Sequence, residues 1–550
     1  MNVPTPQTKL EMLDDMEPLA SVPSTAPKGT RLRPGEAKSL KQRMDVAEKY
    51  YEKVFKPWFD DATRMMKGEH YEGESDDHQV VVNLMPHVIQ TQVYSTTFHL
   101  GELIVKPKDR LGHENLEVAE HVTACELRQA NAMRENRRAY KDSRIVGFGV
   151  VCTGWEFETD DVHLTDGRQQ VEGEEPEPEA VTRAVEEGKD LPPPIPRAKV
   201  RKDNFYVKRL DPRNWRVSPE ASWVLADAPY CGYVEYRDVA EVKNDPRYKN
   251  TSKLKGSCDH LEGYLNSQNQ PEGDREDLTG DLKRVKLIHY YERRRRLHVV
   301  LTDEDDRPLL VEKWHWEHDE YPFLAVFAEP GEDGWYQRPP VLELKHCQQE
   351  LNNFHTQLAI HIRRFVRKYV AREGDFDPNA EKALESGRDG TIVFTTAQDA
   401  HNALTPIQDA QLSPDVYGSE RIAMERISLM SALSAYDTGR APTKRMTQDE
   451  AQMVGGAGEA RKQAARAAYE ELCAAVARHC LALNQQYAMR TRSYPVEVDG
   501  KISTWVDWTA DQIRGDYSFE LYVGSTEIKS KASVAEEIGF LLQSLAPFAA

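Results

Sequence analysis

Between residues 339 and 490 the chain spells two amphipathic helices, an intervening β-rich stretch, a loop and one very long third helix. Few folds accept that order. The first helix is predicted over 340–371, opening at Pro339-Pro340, where a missing proline N–H is harmless. Leu344, Leu351, Phe354, Leu358, Ile362 and Phe365 form one apolar stripe along it. Residues 372–412 are rich in Gly, Asp and Pro and carry the strand-like run Thr391-Ile392-Val393-Phe394. Ser413-Pro414-Asp415 is a good start for a second helix over 415–434. The loop Asp437 to Met446 then feeds Thr447-Gln448-Asp449-Glu450, a capping box. Beyond it Tyr469, Leu472, Val476, Cys480, Leu483 and Tyr487 recur at three- and four-residue spacing. Helical from 447 to 490, that element is about 66 Å long at 1.5 Å per residue. A helix of this length needs neighbours along most of its course, which the next copy supplies in a ring of subunits. The pattern describes two struts, a cap between them and a loop projected by the return strut.

The rest of the chain divides around this block. Residues 1–34 are rich in Pro, Thr and Ser and read as an extended arm. Residues 36–67 read as a helix divided near Pro57, 78–100 as helix around Pro86, and His113–Arg144 as one long helix. Ile145–Glu158 turns β-rich, and 159–199 is an acidic, Pro-rich insertion that cannot bury enough apolar surface to fold alone. Strands are expected at Asn204–Leu210, Trp215–Val217, Val285–Tyr291, Leu297–Leu301 and Leu309–Trp316. Val239–Asn244 reads as helix and about 256–282 as a polar loop. Trp505–Gly515 reads as loop, Tyr517–Val523 as strand and Glu527–Leu545 as helix. The fold class is α+β, predominantly helical.

Chemistry is sparse. The seven cysteines are scattered without a C-x-x-C, so neither a zinc ribbon nor a redox pair is indicated. No run of about 18 apolar residues suggests a transmembrane helix, and no secretion signal opens the chain. Gly68 to Ser75 has phosphate-loop spacing, but Glu74 stands where a lysine would clamp the phosphates. Gly455-Gly456-Ala457-Gly458 falls inside a helical pattern. His315 and His318 are near acids but three apart in an extended run, so they face opposite sides. His355 and His361 are six apart on a helix, a poor ligand spacing. No catalytic motif with an identifiable base is present, and no cofactor or metal is expected.

The net charge is −19, so the surface as a whole does not invite nucleic acid. Against it stand two local groups of cations. Arg440, Lys444 and Arg445 crowd the loop between the second and third helices. Arg363, Arg364, Arg367 and Lys368 crowd the end of the first helix, more than its dipole needs. Each is either an ordinary exposed basic patch or a set of contacts to a phosphate backbone without base reading.

The same stretches resemble the portal proteins of tailed bacteriophages, the head-to-tail connectors. Gly334-Trp335-Tyr336-Gln337-Arg338-Pro339-Pro340 ahead of Gln348-Gln349-Glu350-Leu351-Asn352 is similar to the family's opening to its first stem helix. Ser431 to Tyr436, Gly439 and Met446-Thr447-Gln448-Asp449-Glu450-Ala451 are similar to its helix end, loop and helix start. Asp211-Pro212-Arg213-Asn214-Trp215 resembles a wing strand, and Tyr517 to Thr526 the late strand and turn.

The resemblance implies a portal fold of wing, stem, clip and short crown, assembling as a homo-oligomer, a twelve-subunit ring around a channel for double-stranded DNA. On that frame 1–34 is the arm, 35–145 the helical part of the wing, and 146–338 its α+β lobe with the insertion 159–199. Residues 339–371 are the first stem helix, 372–413 the clip, 414–435 the second stem helix and 436–446 the tunnel loop. Residues 447–492 are the long wing helix, 493–529 wing strands and 530–550 the start of a crown. The resemblance implies no active site. The implied partners are the terminase large subunit, a major capsid or scaffolding protein and a head-tail adaptor. The implied locations are the portal vertex of the virion and, during assembly, the host cytoplasm, with no membrane. Arg440, Lys444 and Arg445 would face DNA from the tunnel loop, and Arg363, Arg364, Arg367 and Lys368 from the stem. Two other readings stay open on the residues alone: a DNA-processing nuclease with an unrecognised metal site, and a helical scaffold with no DNA role.

Overall fold

The computed structural model describes residues 32–33, 35–71, 79–97, 103–160, 199–257, 283–314, 316–328, 334–364, 369–371, 376, 378–385, 395–396, 404–406, 414–431, 448–488, 490–498 and 501–521. In chain order these begin with α1 (Glu36–Tyr50), a π-helical turn (Tyr51–Phe55), α2 (Lys56–Lys67), α3 (Met85–Thr97), β1 (Leu103–Pro107), α4 (Arg110–Glu114), α5 (Leu116–Gln129) and α6 (Ala132–Val146). Then come β2 (Phe148–Asp160), β3 (Lys199–Leu210), β4 (Trp215–Val217), β5 (Cys231–Asp238), α7 (Val239–Asn244), β6 (Arg284–Glu292), β7 (Leu297–Thr302), β8 (Leu310–Lys313) and β9 (Phe323–Phe327). The last part holds α8 (Pro340–Glu343), α9 (Lys345–Arg364), β10 (Tyr369–Ala371), α10 (Pro378–Glu385), β11 (Leu404–Pro406), α11 (Pro414–Met430), α12 (Gln448–Tyr487), β12 (Arg492–Val498), β13 (Lys501–Trp508) and β14 (Tyr517–Leu521).

Two compact units emerge. One takes residues 1–60, 93–339 and 460–550; the other takes 61–92 and 340–459. The larger unit carries a five-stranded antiparallel sheet in the order β4-β5-β6-β7-β8 and a three-stranded one in the order β3-β2-β9. It also carries the hairpin β12-β13 and the pair β1-β14, which joins Leu103 to Leu521. The smaller unit carries the short pair β10-β11.

Aromatic side chains organise the larger core. Trp215 and Trp335 are fully buried with rings 5.8 Å apart, and Phe323 meets Trp215 edge-on at 5.0 Å. Phe148 of β2 touches Trp335 at 5.9 Å and Phe55 at 5.1 Å, and Phe55 stacks on Tyr336 at 4.9 Å. Offset and edge contacts of this kind add about 0.5–1.5 kcal/mol each beyond area burial. Both Trp335 and Tyr336 enter from the segment opened by Gly334, whose φ of +74° suits a residue without Cβ. The similar run at Asp211 has an equally local logic. Its carboxylate accepts the Arg213 N–H at 3.0 Å and caps a short helical turn, which delivers Trp215 inward. The next residue, Arg216, is buried, pairs with Glu48 and lies 3.7 Å from the Tyr51 ring.

Several expectations need correction. The helix over 36–67 does divide, but at the π-helical turn before Pro57. The stretch 78–100 is helical only from Met85; residues 79–84 are extended, because side chains of α9 bind their backbone. His113–Arg144 is interrupted, because Asn115 caps α4 and Asn131 takes φ 51°, a conformation asparagine tolerates. The first strut is described to Arg364 and does not reach 371, because Tyr369–Ala371 pairs with Leu404–Pro406. Trp505–Trp508 belongs to β13 and not to a loop, with Trp508 buried. The strands β1, β5 and β9 had no sequence expectation.

Gly455 to Gly458 are helical within α12, and Gly68 ends α2 at φ 86°. Outside the described residues lie the arm apart from Leu32 and Arg33, most of the insertion, the polar loop from 258, Thr391–Phe394, Ser413, Thr447 and everything after Leu521.

Two glycines give a paired test. A methyl on Gly149 of β2 would fall 1.9 Å from the carbonyl oxygen of Ala139 in α6, whereas one on Gly418 of α11 meets nothing within 4 Å. Gly149→Ala is expected to destabilise by at least 1–3 kcal/mol, on the scale of about that size for overpacking. Gly418→Ala should stabilise by about 0.5–1 kcal/mol through helix propensity. Urea unfolding of both variants checks the contrast.

Candidate nucleic-acid interface

In the smaller unit α9 and α11 pack side by side. Cys347 Sγ lies 3.7 Å from Met430 Sδ, Arg426 donates to Glu350 at 2.9 Å, and His355 stands 3.5 Å from Glu420. Numbers rise along one helix as they fall along the other, so the two run antiparallel. Leu351, Ala423 and Ile427 are buried in this unit. On α11 Ile422 and Leu429, seven residues apart and therefore on one face, are 44% and 73% exposed. The described charges on this pair are largely self-neutralised: Arg421 with Glu425 at 3.6 Å and Arg426 with Glu350.

This antiparallel pairing sets the two ends of the helix pair apart. Arg363 and Arg364 are the last two residues of α9, at the end of the pair where α11 begins. The chain leaves α11 toward residue 440 at the opposite end, beside Cys347. From Cys347 to Arg363 the axis advances about 24 Å at 1.5 Å per residue. Only the backbones of Arg363 and Arg364 are described; Arg367, Lys368, Arg440, Lys444 and Arg445 lie outside the described residues.

A feature unread in the sequence holds α9 in place. Gln348, Asn352 and Thr356 stand four residues apart on one face and bind the backbone of extended residues 80–84. Thr356 Oγ1 accepts the Val80 N–H at 3.0 Å, Asn352 Oδ1 the Val82 N–H at 3.1 Å, and Gln348 Oε1 the Leu84 N–H at 3.2 Å. Gln348 Nε2 donates to Val82 O at 2.7 Å and to Asn352 Oδ1 at 2.9 Å. The geometry works because four helical residues rise about 6 Å and two extended residues advance about 6.6 Å. Alternate amides therefore meet successive turns. Asn352 Nδ2 donates in turn to His70 Nδ1 at 2.6 Å, and His70 Nε2 donates to Met65 O at 2.9 Å. Both His70 nitrogens are thus occupied. Beside this latch lies a cavity of about 350 Å³ bordered by Asp61, Arg64, Lys345 and Gln349, where Lys345 pairs with Asp61 at 2.8 Å. The sequence signal was the polar four-residue repeat Gln348, Asn352 and Thr356 on one face of the helix.

The histidines weighed as ligands in the sequence have other surroundings where they are described. His318 stacks on His479 at 4.5 Å, His479 contacts Glu320 at 3.0 Å and Thr153 at 2.8 Å, and His315 lies outside the described residues. Burial, and then the neighbouring His479, push His318 down to about 3, so its ring stays neutral. His355 stands 3.5 Å from Glu420. Among the described residues no three His, Cys, Asp or Glu side chains gather as a metal site requires, and no helix is long and apolar enough to cross a membrane.

Compared with known proteins, residues 37–550 match the family model described as phage SU10 portal protein. No curated protein matches the chain.

The latch has a direct test. Asn352→Leu keeps the shape but strands the Val82 amide and the Gln348 and His70 nitrogens, at about 1–3 kcal/mol per buried unmet group. Hydrogen exchange is expected to show Val82 and Leu84 losing most of their protection, while Gln349→Ala, on the cavity side, leaves them protected.

Proposed function

This chain belongs to the portal proteins of tailed phages, and we propose that it works as the ring at one capsid vertex through which double-stranded DNA enters and leaves. In this reading α9 and α11 are the stem helices, β10, α10 and β11 belong to the clip, 436–446 is the tunnel loop and α12 runs from the stem into the wing. Copies meet laterally through the stem, and the ring docks a terminase on one side and an adaptor on the other. The portal itself does no chemistry; the motor supplies the energy.

One observation carries the reading. The helices α9 and α11 run antiparallel, with Arg363 and Arg364 closing α9 at the end where α11 begins, in a chain of net charge −19. Duplex DNA carries about one negative charge per 1.7 Å of axis. A wall basic along its length would hold that polyanion by many phosphate contacts and stall it. A wall that is acidic overall, with narrow basic girdles at Arg363, Arg364, Arg367 and Lys368 and at Arg440, Lys444 and Arg445, centres the duplex and lets it slide. Each copy adds a few charges, and the ring makes them a girdle. The exposed Ile422 and Leu429 of α11 are suited to a contact between neighbouring copies, where their burial would contribute about 25 cal/mol per Å².

Two measurements test this. Negative-stain images of the purified chain are expected to show rings with a central hole; a monomer or a solid particle would refute the assignment. Replacing Arg440, Lys444 and Arg445 together by Ala should leave rings intact and lower DNA retention in packaging assays. The salt dependence of DNA association should flatten by about 0.9 in log–log slope for each phosphate no longer neutralised. Unchanged retention with unchanged slope would remove these residues from the channel.

A further inference from the structure

β9 closes the three-stranded sheet, with β2 on one side and, among the described residues, no strand on the other. The pairing with β2 decides which of its main-chain groups are left over. Thr153 donates to the Pro322 carbonyl at 2.8 Å and Ala328 donates to the Gly147 carbonyl at 3.2 Å. Even-numbered residues of this stretch therefore turn their main-chain polar groups toward β2. Phe323, Ala325 and Phe327 turn theirs away from it, and among the described residues no hydrogen bond meets them there.

This edge is the floor of a groove of about 330 Å³. One wall is α12, through Ala468, Leu472 and Ala475. The other is the segment Trp223–Ala226, held by Arg293, whose Nη1 donates to the Ala226 carbonyl at 3.0 Å. Trp223 is 45% exposed. Leu324 and Val326 share a sheet face with Thr153, which touches His479 of α12 at 2.8 Å. Phe323 lies on the opposite face, against Trp215. A strand laid along the edge would meet apolar side chains from α12 on one side and from Trp223–Ala226 on the other.

We propose that Leu19-Ala20-Ser21-Val22 of the same copy's N-terminal arm fills this groove as a fourth strand, bonding to the outward main-chain groups of Phe323, Ala325 and Phe327. The arm joins the fold at this corner. The Arg33 N–H donates to Glu36, Glu36 pairs with Arg295 at 2.5 Å, and Arg293, two residues away, borders the groove. Ten residues separate Val22 from Arg33, a reach of up to about 33 Å. The two residues from Arg295 to Arg293 span about 7 Å. Composition agrees. Leu19 stands on one alternating face of the run and Ala20 and Val22 on the other, as a strand walled on both sides requires. Pro18 and Pro23 flank it, which an edge strand tolerates, and Pro23 biases Val22 toward extended backbone. Glu11, Asp14, Asp15 and Glu17 just precede the run, and the turn Arg293 to Arg296, with Arg294 exposed, offers the opposite charge beside the groove.

Hydrogen exchange in the full chain, read amide by amide by mass spectrometry, tests this. Leu19→Glu with Val22→Glu puts two charges against apolar walls and should release the run. Exchange at Ala325 and Phe327 is expected to quicken at least about tenfold as that edge opens. Leu324 and Val326, whose amides face β2, should keep their rates and so report that the sheet itself is intact. Equal rates at Ala325 and Phe327 in the two chains would overturn the proposal. A second measurement identifies the occupant. With photoreactive benzoylphenylalanine in place of Ser24, irradiation should join the arm to peptides containing residues 323–327 or 468–478 of the same chain, at the mass of a single chain under denaturing conditions. A link between two chains, or none to those peptides, would overturn it as well.

Discussion

A match between two periods fixes helix 345–364, on which the proposed channel depends. Gln348, Asn352 and Thr356 repeat at the pitch with which alternate amides of residues 80–84 present themselves. A side-chain ladder therefore does what a neighbouring strand would do in a sheet. It satisfies backbone groups of an extended segment that would otherwise need water. It also specifies register, because a slip of one residue would turn every amide away. Each bond contributes only about 1 kcal/mol net, but the set admits a single alignment. The side chains that face α11, Cys347, Glu350 and His355, are presented from the helix so held.

In the larger unit, two of the motifs on which the family resemblance rests turn out to be packing devices. Gly334 allows the turn that sends Trp335 and Tyr336 into the core, and Asp211 caps the turn that sends Trp215 there. The Gln348–Asn352 pair of the stem motif belongs to the latch. These residues hold the scaffold. The residues proposed to meet DNA are neighbours of such motifs in the chain and have no part in them.

Charge is handled in two ways. Along α9 and α11 the described charges pair with each other, which limits what they offer a polyanion. Within the five-stranded sheet, Glu235, His289, His298 and Glu312 follow one another across four strands, with His289 3.3 Å from Glu235 and His298 2.6 Å from Glu312. Neither arrangement follows from the net charge of −19, which is a sum and says nothing of adjacency.

The sequence by itself determined the order of the three long helices, because an apolar stripe at three- and four-residue spacing is a local property that survives any packing. It likewise determined the β6-to-β8 region, at Val285–Tyr291, Leu297–Leu301 and Leu309–Trp316. Tertiary structure decided what depended on a distant partner. Residues 103–107 are a strand because 517–521 lie beside them, 79–84 are extended because α9 reads their amides, and the first strut falls short of 371 because β10 finds β11. The row of Glu235, His289, His298 and Glu312 was invisible for the same reason: spacing along a chain names faces of a helix or strand, but only strand register brings these four side by side.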